Sequence, residues 1–139
     1  MNVSRQDHTD LRVKHLEMIQ GIITRMSTNS GTIKRYAVVL SAAAVSFAKF
    51  AKEPMILWLS IGTVILFALL DARYLLLERC YRDLFDAVRQ EPASKKPDFR
   101  LSTSPDRHSI YFVLCSWSVL GLYGALILFM LAAIRFVGK

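Results

Sequence analysis

Apolar positions gather in three long runs, separated by polar stretches in which they recur only periodically. The first run, Tyr36-Ala-Val-Val-Leu-Ser-Ala-Ala-Ala-Val-Ser-Phe-Ala48, lies between Lys34-Arg35 and Lys49. It is short of the roughly 20 residues a helix needs to cross a bilayer, but snorkelling lysines at both ends extend its reach. Lys52-Glu53-Pro54 forms a tight turn into the second run, Met55 to Leu70. Pro54 stands where a helix begins and its missing N–H costs nothing. So short a connection makes the two helices antiparallel neighbours, a transmembrane hairpin over 36–70. The third run, 110–134, is uncharged and carries Tyr111, Trp117 and Tyr123, which suit a headgroup belt.

The polar stretches also predict helices. Beyond Leu70 the apolar positions Tyr74, Leu77, Tyr81, Leu84 and Val88 alternate spacings of three and four. The second helix should therefore extend through 71–91, about 25 Å past the membrane at 1.5 Å per residue, until Glu91-Pro92 ends it. Segment 1–35 carries a matching stripe, Leu16, Ile19, Ile23, Met26 and Ile33, widened by Met18 and Ile22, with Asp7, Thr9 or Asp10 available as caps. Asn29-Ser30-Gly31 reads as a break before the first span. Such an amphipathic helix can lie on lipid headgroups or pack on 71–90. Two stripes on one side of the membrane favour packing, with Leu16, Ile19, Ile23 and Met26 facing Tyr74, Leu77, Tyr81 and Leu84. Residues 92–109, rich in Pro, Ser and Lys, read as a flexible linker, and 135–139 as a tail.

Charge sets the orientation. The formal net charge is +7, from 18 Lys+Arg and 11 Asp+Glu, and most of the basic residues precede Tyr36 or lie between Asp71 and Ser109. Basic loops resist translocation, so both segments should be cytoplasmic, and an odd number of spans puts the C-terminus across the membrane. The segregation argues against nucleic acid, which would call for a basic face interleaved with aromatics. Residues 1–35 carry Asp7, Asp10 and Glu17 and no apolar core, so the first span rather than a cleaved signal should direct insertion. Cys80 and Cys115 form no CxxC pair and are expected as reduced thiols. The expected fold is thus an all-α integral membrane protein with three transmembrane helices and amphipathic cytosolic helical extensions, assembled as a homo-oligomer.

No catalytic constellation emerges. His8, His15 and His108 with Asp106 and Ser109 could form a hydrolytic group only in a rigid pocket, and 92–109 does not read as rigid. HExxH, CxxC and glycine-rich phosphate loops are all missing from the sequence, so neither an enzyme nor a metal or other cofactor is expected. Asp71, Arg73 and Glu78, where the second span leaves the membrane, suit either a charged ring at a pore mouth or an anchor held by internal ion pairs. Ala44, Ala48, Gly121 and Ala125 permit close helix approach, within the chain or between copies.

The run His15-Leu-Glu-Met-Ile-Gln-Gly-Ile-Ile-Thr-Arg-Met-Ser-Thr-Asn-Ser30, then Lys34, a membrane hairpin and Leu70-Asp-Ala-Arg-Tyr-Leu-Leu-Leu-Glu-Arg-Cys-Tyr-Arg-Asp-Leu-Phe85, resembles the SLATT-like family of small bacterial membrane proteins. The resemblance spans about residues 8 to 90 and leaves the third run outside. It implies a transmembrane hairpin flanked by cytosolic helices at a bacterial inner membrane, with the N-terminus cytoplasmic and the C-terminus periplasmic. It further implies a membrane effector in antiphage conflict systems, one version of which accompanies the RNA-editing RADAR system. The expected function is a self-assembling, non-enzymatic effector that forms a pore or disrupts the membrane; the alternative is an anchor or adaptor that recruits a soluble defence enzyme.

Overall fold

The computed structural model describes residues 2–92, 95, 98–103 and 109–137, with side chains from residue 6 onward. All regular structure among them is helical: α1 (Asn2–Ala51), α2 (Met55–Gln90), α3 (Ile110–Leu114) and α4 (Trp117–Val137). α1 and α2 are antiparallel along most of their length, α4 packs against both near the hairpin, and α3 lies on α2. Two helices, α2 and α4, are long and apolar enough to cross a membrane. Segment 36–48 is part of α1 and falls short of that measure, because its apolar run is brief and any stretch of crossing length takes in charged residues from Lys34, Arg35 and Lys49.

α1 is one helix of 50 residues, not the two expected on either side of Asn29-Ser30-Gly31. Nor does it wait for a cap at Asp7, Thr9 or Asp10, since it is already helical at Asn2. Tertiary packing explains the continuity. His15, Ile19, Ile23, Ser30, Ala37, Ser41 and Ala48 are all buried. Lys34, Ala44 and Val45 are partly buried on the same side. Positions 15, 26, 37 and 48 are each eleven apart, as are 19, 30 and 41. An eleven-residue repeat averages about 3.67 residues per turn, close to a straight helix, so α1 keeps one face on α2 without strong supercoiling. A heptad would have taken Ile33 inward where the chain uses Lys34. Past His15 the stripe is large and apolar as far as Met26, and from Ser30 onward its buried positions are small or polar.

The hairpin turn forms without glycine. Lys52 adopts φ 58°, the left-handed region, and Glu53 N–H donates to Ala48 O at 3.2 Å. This is the helix-ending arrangement in which the residue past the last turn goes left-handed, usually as Gly. Pro54, at φ −67° and ψ −18°, then opens α2. At the other end α2 stops at Gln90, with Glu91 extended ahead of Pro92, as the sequence predicts.

The third apolar run is not a single helix over 110–134. Ser109 caps α3 by accepting from Tyr111 N–H at 3.3 Å. The helix closes on Cys115, and Ser116 O accepts from Leu120 N–H at 2.9 Å to start α4. α4 then continues to Val137, past the expected end at Ile134. The break lets Val113 bury against Ala72 and Leu76 of α2 while Val119, Tyr123 and Met130 join Ala37, Ile61 and Val64 in the main core. Within the described part of 92–109 there is no helix or strand, yet the segment is tethered: Leu101 packs on a second core of Ile19, Ile23 and Val88.

Lys52→Gly should raise stability by about 1 kcal/mol, because a side chain in the left-handed region is strained and glycine is not. Thermal unfolding followed by circular dichroism in detergent measures it; an unchanged or lowered midpoint contradicts the strain.

Candidate functional site

α1, α2 and α4 each supply a polar side chain to one buried point. Asp71 of α2 is 0% exposed. Ser30 Oγ of α1 donates to Asp71 Oδ1 at 2.5 Å. Lys34 Nζ, one turn further along α1, stands 3.0 Å from Oδ2 and 3.3 Å from Oδ1, and donates to Ser30 Oγ at 2.9 Å. Tyr123 of α4 is buried with its hydroxyl against Asp71. Neither that hydroxyl nor Oδ2 completes a hydrogen bond of ordinary geometry, so Lys34 holds Oδ2 by charge. Spacing explains the meeting: Ser30 and Lys34 are i,i+4 on α1 and share a face.

The arrangement neutralises a charge that apolar surroundings cannot tolerate alone. A buried carboxylate facing only apolar side chains costs several kcal/mol, and removal of one partner from a buried pair typically costs about 3–5 kcal/mol. Hydroxyls elsewhere in the bundle are satisfied within their own helices: Ser41, Ser46, Ser60 and Thr63 each donate to the carbonyl four residues back. Lys34, Asp71 and Tyr123 therefore form a cross-helix link where α1, α2 and α4 converge.

The three expected pore-mouth charges part company. Asp71 faces inward, Arg73 is exposed, and Glu78, buried lower on α2, accepts from Arg82 Nε and Nη2 at 3.0 and 2.7 Å. In a single chain they make no ring. Of the expected packing residues, Ala48 is buried and Ala44 borders the main core. Ala125 is exposed, and a side chain on Gly121 would meet only Trp117 of its own helix, at 3.7 Å, so that face meets no other helix among the described residues. Of the expected cytosolic contacts, Ile19 and Ile23 are buried with Leu16, Tyr81 and Leu84 packed around them. Met26, Tyr74 and Leu77 are half-buried outside that cluster.

The far end of the α1–α2 stalk holds residues that periodicity did not mark. Arg12 reaches the end of α2, donating from Nη1 to Glu91 O at 3.0 Å and from Nη2 to Pro92 O and Lys95 O at 2.8 and 3.2 Å. These carbonyls lie in the chain past Gln90, where no helix supplies them a partner, and the guanidinium does. Lys95 also pairs with Glu91. His15 is buried with neither ring nitrogen hydrogen-bonded, its ring 5.2 Å from that of Phe99. An arginine and a histidine three apart on an otherwise apolar helical face were the available signal.

Asp106 and His108 lie outside the described residues. Among the described residues no three His, Cys, Asp or Glu side chains gather as metal ligands. Both cysteines are free thiols, Cys80 buried and Cys115 exposed. Burial, then the nearby Asp83, pushes the Cys80 thiol up from its ordinary range. No family model, curated protein or solved structure matches the chain.

Asp71→Ala should cost about 3–5 kcal/mol by leaving Lys34 uncompensated, and Lys34→Ala added to it should recover most of that loss. A double-mutant cycle on unfolding measures the coupling; additive losses contradict a functional ion pair. Cys80 should alkylate slowly at pH 8, with its rate still climbing at pH values where an ordinary thiol has levelled off. A rate profile in a Cys115→Ser background reads this, and an early plateau contradicts the upward shift.

Proposed function

We propose that the chain is an integral membrane protein whose three apolar segments sit in a bacterial inner membrane, with the stalk in the cytosol. The observation that carries this reading is an inverted distribution of polarity. Of the most apolar 18-residue stretches of α2 and α4, only 22% and 17% is buried inside the molecule, while Asp71 is wholly enclosed. Leu59, Leu66, Leu120 and Leu128 are all more than 60% exposed. In water such a surface would be strongly unfavourable; in lipid it is the solvated face, and the charges need the interior. Along α1 and α2 the cluster stands about 25 Å from the hairpin turn at 1.5 Å per residue, near the far boundary of a hydrocarbon layer about 30 Å thick.

On this footing the activity is the one the SLATT-like resemblance implies: a non-enzymatic antiphage effector that alters bilayer permeability when its stalk is engaged. The Lys34–Asp71–Tyr123 link acts as a lock on the resting bundle, and loosening it frees α4 from the hairpin. A second reading, an anchor or adaptor for a soluble defence protein, draws support from the same enclosure: Asp71 is neutralised within one chain and offers no charge to a conduit.

Dye release from liposomes containing the purified protein distinguishes the two. The effector reading expects little release by the resting wild-type protein and a several-fold increase for Lys34→Ala. Vesicles that stay sealed with both proteins, inserted and helical, contradict it and favour the anchor.

A further inference from the structure

The stalk exposes apolar surface in a region that the reading above puts in water. Along one side of it, between α1 and α2, run two adjoining hollows of about 410 and 250 Å³ that share Gln20 and Phe85. Val13 and Leu16 line the outer hollow and Ile23 the one nearer the membrane. Val13 is 49% exposed. Two helices alone enclose little: among the described residues the buried positions of this core are Ile19, Ile23 and Val88. The lipid that solvates Leu59 or Leu120 is not there to cover Val13 and Phe85.

We propose that this groove is the interface with a second copy of the chain, packed side by side with its stalk parallel. The proposal rests on the membrane reading: two copies inserted the same way that use this one groove on both sides form an isologous pair, and its two-fold axis runs along the membrane normal. That axis brings equal heights together. α1 and α2 are antiparallel, and Gln20 and Phe85 share a height because both line both hollows. Glu17 and Arg89 then stand about 5 and 6 Å further from the membrane, at 1.5 Å per residue.

Charge favours this occupant. Glu17 is exposed and in none of the ion pairs among the described residues. Arg89 holds only Asp86, at 3.4 Å on an exposed surface, and can exchange it. In the two-fold arrangement Glu17 of each copy meets Arg89 of the other, giving two reciprocal pairs flanking the apolar groove. The groove rim carries Glu17, Arg82 and Asp86 in mixed sign, so a strongly acidic or strongly basic partner would meet repulsion as well as attraction.

The test is disulfide trapping in native membranes between two differently tagged, co-expressed full chains, one carrying Gln20→Cys and the other Phe85→Cys, both in a Cys80→Ser and Cys115→Ser background. The expected result is a covalent dimer, reduced at least fivefold by Glu17→Lys and restored by Glu17→Lys with Arg89→Glu. Membrane-inserted, helical protein that yields no dimer overturns the proposal and leaves the membrane reading standing. So does a dimer indifferent to Glu17→Lys, or trapping of Gln20→Cys to a different protein. The mass of the unmodified protein in mild detergent gives an independent check: a dimer or a multiple of it supports the interface, and a monomer overturns it. Protein that remains in the aqueous fraction removes the membrane reading itself.

Discussion

A carboxylate with no access to solvent has to find its counter-charge inside the molecule, and Asp71 finds it in Lys34. That requirement fixes more than one side chain. Lys34 reaches Asp71 only if α1 and α2 keep a single register, and the helix pair in turn aligns Ile19 and Ile23 with Val88 at the far end of the stalk. Tyr123 brings α4 to the same point. One ion pair thus sets the level at which three helices meet, and its strength comes from the absence of competing water.

On the membrane reading, the polarity of α1 follows from having one face serve two media. Past His15 and up to Met26 the inward positions are large and apolar, because a helix pair in water needs burial to hold it together. From Ser30 onward the inward positions are Ser30, Lys34, Ala37, Ser41 and Ala48. Lipid gives no hydrophobic drive between helices, so close approach of small side chains and the polar link take over. The same helix therefore changes the kind of force that holds it without changing its direction. The stalk's end is fastened separately, by the Arg12 guanidinium on the carbonyls of Glu91 and Pro92, just past α2.

Much of this was legible in the chain. Pro54 and Glu91-Pro92 mark the two ends of α2, and the apolar run followed by a three-four alternation describes its whole length. Leu16, Ile19, Ile23 and Met26 were expected against Tyr74, Leu77, Tyr81 and Leu84; of these Leu16, Ile19, Ile23, Tyr81 and Leu84 meet in the stalk core, where Val88 joins them. What stayed hidden depended on register or on residues with weak signals. Gly31 and its neighbours read as a break because local propensity was weighed without the contacts of Ser30. Lys34 read as a snorkelling flank, since only the eleven-residue repeat shows that it replaces Ile33 on the inward face. The break at Cys115-Ser116 carries neither Gly nor Pro, and arises from the need of Val113 and Val119 to face different parts of α2 and α1. Arg12 acts on carbonyls 79 and 80 residues away, a relation that no periodicity encodes.

The central claim is that lipid surrounds the exposed apolar faces, and the two tryptophans report on it directly. Trp58, near the hairpin turn, is 58% exposed, and Trp117, at the start of α4, is 89% exposed. In vesicles of lipids brominated along the acyl chains, the fluorescence of both should be strongly quenched, with Trp58 and Trp117 responding most to bromines near the headgroups at opposite ends of the hydrocarbon layer. Emission unaffected by any bromine position, from protein that is folded and associated with no vesicle, would contradict the account.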